Sequence, residues 1–254
     1  MEKSIMLPEE QELKRLETEE AELEEQVASS ELALETLKTE MSQFHYRYYR
    51  LVGYLYVEMD ELDARIASEE AERYPDNIEL QAWAQDAEKQ ARRSAEEAGL
   101  TENQVPPAKI TPEIKQAYRK ATKLMHPDRA TNEIERERRT IMMARVNRAY
   151  EAGALAEIEQ LIIDFGEDSE AVEGSDTGAR LVKVIRRIAQ LRRRLSEAEQ
   201  ELSEQKQTEL YELMNTVGEA EVSGEDPLGD LAGQLTQHIS ERKVRLELLS
   251  QPVN

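Results

Sequence analysis

The stretch Ile110–Tyr150, ITPEIKQAYRKATKLMHPDRATNEIERERRTIMMARVNRAY, decides how this chain is read. Thr111 can cap a helix whose first residue, Pro112, lacks the amide hydrogen that would be unpaired there anyway. The apolar residues Ile114, Ala117, Tyr118, Ala121 and Met125 recur at steps of three and four, while Lys115, Arg119, Lys120 and Lys123 fill the rest of the circumference. One side packs and the other is positive. The ring of Pro127 disfavours helical geometry in His126, so the helix is expected to end at Met125 or His126 and to display His126-Pro127-Asp128 in a loop. Asn132 and Glu135 form a capping box for a second helix, with a buried stripe through Met142, Met143, Val146, Ala149 and Tyr150.

An antiparallel helix pair joined by His-Pro-Asp resembles the J domain of the DnaJ family, the co-chaperones of DnaK-type heat-shock ATPases. The resemblance covers about 40 of the 254 residues. It rests on Ala117-Tyr118-Arg119-Lys120 before the tripeptide, Arg129 after it, and Val146, Asn147, Ala149, Tyr150 and Glu151 at the end of the second helix. It implies that Lys115, Tyr118, Arg119, Lys120 and Arg129 dock on an acidic face of the chaperone's nucleotide-binding domain. The His126-Pro127-Asp128 loop would reach the junction of that domain with its linker, where Asp128 could pair with an arginine and favour the hydrolysis-competent state.

The chain departs from the family where a short helix with paired aromatics and a Leu-Gly turn should precede the basic helix. Between Gly99 and Ile110 it has a proline-containing linker instead. Ala121 replaces an expected leucine, and another is replaced around Gly153. A minimal domain follows, whose apolar face needs a cover. The best local candidate is Leu155–Phe165, with Leu155, Ile158, Leu161, Ile162 and Phe165 on one side; the helix around Leu80 and Trp83 is a second.

Charge is segregated along the chain. Net charge is −21, yet Lys109–Tyr150 holds eleven Lys/Arg against five acids, or +6, leaving about −27 elsewhere. An acidic partner surface is expected for the basic segment. The absence of cysteine excludes a disulfide framework and the cysteine-rich zinc module of some DnaJ relatives. His45, His126 and His238 lack a second ligand at metal spacing, and neither a glycine-rich phosphate loop nor a nucleophile with an evident base is present. No enzyme site, metal or cofactor is therefore expected. No apolar run reaches membrane-spanning length and the acidic N-terminus is unlike a secretory signal, so a cytoplasmic protein without membrane contact is expected.

Long amphipathic helices flank the basic segment. Leu13, Leu16, Leu23, Val27, Leu34, Leu37, Met41, Phe44, Tyr48, Leu51 and Leu55 form a heptad seam that continues, after a one-residue shift, through Met59, Leu62 and Ile66. A helix from Glu9 to about Ala71 would be roughly 95 Å long. Tyr74-Pro75-Asp76-Asn77 marks a turn, after which Ile78–Ala98 can return as an antiparallel arm. Six aromatics between Phe44 and Tyr56 suggest packing where helices converge, with a client-binding patch as the alternative. A second seam runs through Leu181, Val184, Ile188, Leu191, Leu195, Ala198 and Leu202, and a last helix follows Pro227. Arg180–Arg194 holds seven basic residues and no acid, whereas Glu9–Glu40 holds twelve Glu against Lys14, Arg15 and Lys38. These segments should pair, within one chain or between two.

The expected architecture is all-α. It comprises a coiled-coil hairpin over 1–99, a linker over 100–109, a J-like hairpin over 110–166, a linker over 167–178 and a second coiled-coil hairpin over 179–250. The leading functional expectation is a co-chaperone that binds a DnaK-type ATPase and stimulates its hydrolysis, its coiled coils serving dimerisation or placement of an unidentified client. A coiled-coil scaffold or adaptor with an inactive J-like docking element is the alternative. A nucleic-acid adaptor using the basic helix 180–194 is third, disfavoured by the acidic chain and the lack of interleaved aromatics.

Overall fold

A computed structural model describes residues 7–102, 107–130, 132–166 and 177–251, and among them every regular element is helical. Contacts divide the chain into two units that do not follow the sequence segments. The first takes the chain up to Glu40 together with Pro107–Thr208, and the second takes Met41–Pro106 and everything from Glu209 onward. The expected division into successive hairpins is thus corrected. The first helix, α1 (Pro8–Tyr48), gives its early turns to one unit and its last turns to the other.

In the first unit, α4 (Pro112–Met125), α5 (Glu133–Glu151) and α6 (Leu155–Gly166) build one core. The caps are those the sequence called for: Thr111 Oγ1 accepts the Ile114 amide and Asn132 Oδ1 accepts the Glu135 amide at 2.8 Å. Tyr118 donates its hydroxyl to Asn147 Oδ1 at 3.2 Å, and the Arg139 guanidinium donates to the Leu124 carbonyl at 2.9 Å. A residue early in α4 meets one late in α5 and the reverse, so the two helices are antiparallel. Ile158, Leu161, Ile162 and Phe165 of α6 close the core, the cover expected from the sequence. Trp83, the second candidate, packs in the other unit. Gly153 turns the chain between α5 and α6 at φ 66°, where a side chain would be strained and would also strike Ala108.

The remaining helix of this unit, α7 (Thr177–Gln205), lies along α1. Leu13, Leu16, Leu23 and Val27 of α1 share a buried cluster with Val184, Ile188 and Leu191 of α7. Ion pairs set the register. Glu17 meets Arg180 at 2.5 Å, Glu24 meets Arg187 at 3.3 Å, Glu31 meets Arg194 at 2.7 Å and Lys38 meets Glu201 at 2.7 Å. All four pairs join residues 163 apart in the chain, one heptad after another. A constant difference means that the helices run parallel and in step. The expected pairing of the acidic and basic segments is made within one chain, between parallel helices.

In the second unit, α2 (Tyr54–Arg73) packs against α3 (Ile78–Glu102) and α9 (Pro227–Leu249), with α8 (Glu209–Val222) adding Val217 to the core. The α3 helix returns antiparallel, with the Gln81 side-chain amide donating to the Ala71 carbonyl and that of Gln90 to Asp60. Between α1 and α2 lies a π-helical turn, Tyr49–Gly53. Such a turn inserts one extra residue. The seam accordingly shifts there, with Val52 buried and Leu51 exposed, before continuing through Leu55, Leu62 and Ile66. The phase change was expected a turn later, after Leu55. Of the aromatics around this turn, Phe44, Tyr48 and Tyr56 pack on the core, while Tyr54 is exposed.

Candidate functional site

The helix α4 stops at Met125 because the Pro127 ring forces His126 out of helical geometry, to φ −55° and ψ 133°. Pro127–Arg129 then forms a single 3-10 turn, so the tripeptide sits at the tip of the α4–α5 hairpin as the sequence implied. The tip is not displayed. His126 is only 7% exposed, which overturns the expectation of a free imidazole.

What covers it is the α1–α7 pair. His126 Nδ1 accepts the Asp128 backbone amide at 3.2 Å, and Nε2 lies 3.0 Å from Glu31 Oε1. An ionised carboxylate can only accept, so Nε2 carries a hydrogen and donates it to Glu31. The same oxygen receives Arg194 Nε at 2.7 Å. Burial pushes the Glu31 carboxyl up, but hydrogen bonding and charge from His126 and Arg194 outweigh it and leave Glu31 below the usual carboxylate range. The Arg194 guanidinium is pushed down by burial and more than restored by Glu31, with Asp128 contributing.

The positive face of α4 is occupied in the same way. Arg119 and Lys123 both pair with Glu25, and Arg119 also donates to Ser29 Oγ at 3.3 Å. Arg129 folds back to donate to the Lys123 carbonyl and lies 3.7 Å from Glu24. Tyr118 is 1% exposed, its ring 4.8 Å from that of Tyr150, which corrects its assignment to a docking face: it is a core residue. Asp128 keeps 31% of its side chain exposed, and Pro127 is half-buried beside it. Lys120 is exposed and borders an open groove with Glu113, Leu155 and Ile162, while Lys115 is half-buried. Of the eight residues singled out from the sequence, His126, Arg119 and Arg129 therefore meet α1 carboxylates, Tyr118 supports the fold, and Asp128, Pro127, Lys115 and Lys120 keep accessible surface, as do the side chains of Arg119 and Arg129 beside their partners.

Between the hairpin tip and the helix pair lies an open cleft of about 400 Å³ lined by Glu31, Tyr118, His126, Asp128, Met143, Asn147 and Arg194 among others. Its polar groups are largely satisfied by one another. Among the described residues no group of His, Asp and Glu is arranged to hold a metal ion. Sequence reasoning missed Glu31 and Arg194 as members of the site. A signal existed: residues 17, 24, 31 and 38 read Glu, Glu, Glu, Lys, while 180, 187, 194 and 201 read Arg, Arg, Arg, Glu. The charge inversion in the fourth pair specifies the register.

The same pairing bears on the basic helix 180–194, four of whose seven cations, Arg180, Arg187, Arg192 and Arg194, already face carboxylates of α1. No described helix is long and apolar enough to cross a membrane. Compared with family profiles, curated proteins and solved structures, the chain matches none.

Proposed function

We propose that this chain is a co-chaperone of the J-domain type, which engages a DnaK-type ATPase through His126, Asp128 and the basic face of α4 and stimulates its ATP hydrolysis. The observation that carries this reading is the hairpin itself. A capped basic helix, an antiparallel partner locked by Tyr118 and Asn147, and a His-Pro-Asp turn between them form a self-contained core completed by α6. Asp128 would supply the carboxylate for a charge-assisted contact with the chaperone, and His126 would hold that turn through the Asp128 amide. The coiled helices would position the hairpin or carry a client, in the cytoplasm.

The test is ATP turnover by a DnaK-type chaperone with the full-length protein added. Wild type is expected to raise turnover several-fold and His126→Gln to abolish the gain. Absence of stimulation by wild type and by variants with an accessible tip would remove the reading.

A scaffold is the second reading, favoured by the occupation of Arg119, Lys123, Arg129 and His126 by carboxylates of the same chain. Here the hairpin would be an internal strut that holds α1 and α7 in register. Recovery of partners from native lysate separates the two. A scaffold retains its partner regardless of nucleotide and of Asp128→Asn, whereas a co-chaperone recovers the ATPase in a nucleotide-dependent way.

A further inference from the structure

We infer that the parallel α1–α7 pair is an intramolecular cap on the hairpin tip, an acidic stand-in for the partner that must be released before His126 and the basic face of α4 can be used. The inference rests on the co-chaperone reading for its biological consequence, but its physical content is separate. Three observations carry it.

First, the covering surface has the chemistry expected of the partner. The α4 face and its tip are positive, and what lies on them is a row of carboxylates, Glu24, Glu25 and Glu31. An acidic patch that satisfies Arg119, Lys123 and Arg129 competes with any other acidic patch for the same cations.

Second, the cap has a specific catch as well as general charge attraction. Glu31 Oε1 is shared between His126 Nε2 and Arg194 Nε in a cluster whose carboxylate and imidazole are buried. Both helices of the cap therefore meet the imidazole, one directly and one through the carboxylate. The outer pairs are partly exposed, and ion pairs of that kind are individually weak. The cap is held by several such contacts and a single buried one, a combination that can open.

Third, opening does not require unfolding of the hairpin. All thirteen buried members of its core belong to α4, α5 and α6, and from α1 only Leu32 packs against it as a partly buried neighbour. The cap and the hairpin have separate apolar clusters, with α1 and α7 burying Leu16, Val27, Ile188 and Leu191 between themselves. Contact between them includes the polar bond of Thr36 to the Tyr150 hydroxyl at 2.8 Å as well as Leu34, which lines the cleft with Tyr118 and Met143.

Two measurements on the full-length chain decide the matter. Diethyl pyrocarbonate acylates accessible imidazoles, and the chain holds only three, of which His238 is exposed and serves as internal reference. His126 of the wild type is expected to react about tenfold or more slowly than His238. Glu31→Gln, and separately the surface variant Glu25→Lys, should close most of that gap while far-UV circular dichroism stays unchanged. In the ATPase assay the same variants should reach half-maximal stimulation at about tenfold lower concentration, because apparent affinity scales with the population of the open form.

Equal reactivity of His126 and His238 in the wild type would overturn the cap, as would well-folded variants in which His126 stays protected. If His126 becomes reactive but no version stimulates the ATPase, the cap is upheld and the co-chaperone reading fails. If wild type stimulates and opened variants do no better, the cap has no role in controlling access, and the inference is wrong.

Discussion

Glu31 shows how far one residue can decide the state of a site. Its carboxylate is buried yet ionised, because the His126 and Arg194 donors more than repay the loss of water. A carboxyl held below its ordinary range contributes stability that is complete above that range and lost as pH falls through its folded value. Contact between the tip and the cap should therefore loosen on acidification. Exchange of the Asp128 amide hydrogen, corrected for its intrinsic rate, is expected to accelerate as pH falls below the usual carboxylate range, and Glu31→Gln should flatten that dependence. An unchanged profile in the variant would mean that other groups govern the contact. Glu35, a turn further along, has the opposite sign: burial pushes it up despite Lys38, so its contribution is lost as pH rises. At this scale the sequence was legible for Thr111, Asn132 and Pro127, whose effects act within a few residues of backbone. Tyr118 was misassigned because periodicity identified a buried face, while the family resemblance identified a docking one. The ring has room for only the first role.

Among the elements, the π-helical turn Tyr49–Gly53 has the clearest physical cause and consequence. The heptad seam of α1 drifts relative to the helix, and one inserted residue resets it so that Val52, Leu55, Leu62 and Ile66 can share one core. Gly53 permits the turn because a side chain there would run into the Tyr49 ring. Gly53→Ala is expected to destabilise the second unit by about 1–3 kcal/mol, the usual cost of forcing an extra carbon into packed surroundings. The single tryptophan, Trp83, packs against that unit's core, so its fluorescence during urea unfolding reads the effect directly. A midpoint equal to wild type would show that Tyr49 moves aside freely. The need for a phase shift was visible in the sequence, but its place was not. Leu51 and Val52 are both apolar, and only packing chooses which of them faces inward.

For the chain as a whole, the decisive feature is parallel pairing of helices from opposite ends of the sequence. Four ion pairs at one constant separation fix the step of α7 along α1, and the fourth inverts the charges. That inversion provides a test. Lys38→Glu brings like charges together beside Glu201 and is expected to cost about 1 kcal/mol, and adding Glu201→Lys should recover most of it. Additive losses would mean that the two residues do not meet in solution. An antiparallel pairing of α1 with α7 would separate them and predicts no recovery.

The sequence by itself determined the helical class, the hairpin with its caps and proline stop, the apolar seams and the attraction between an acidic and a basic segment. These follow from local sterics, periodicity and charge, which act over a few residues or are simple sums along a helix. Only the tertiary structure decided that the pairing is parallel and within one chain, that α1 serves two units, and that the imidazole of His126 rests on Glu31. Those outcomes depend on which apolar faces fill which cores, and on contacts between residues 95 and 163 positions apart, where spacing along the chain carries no local signal.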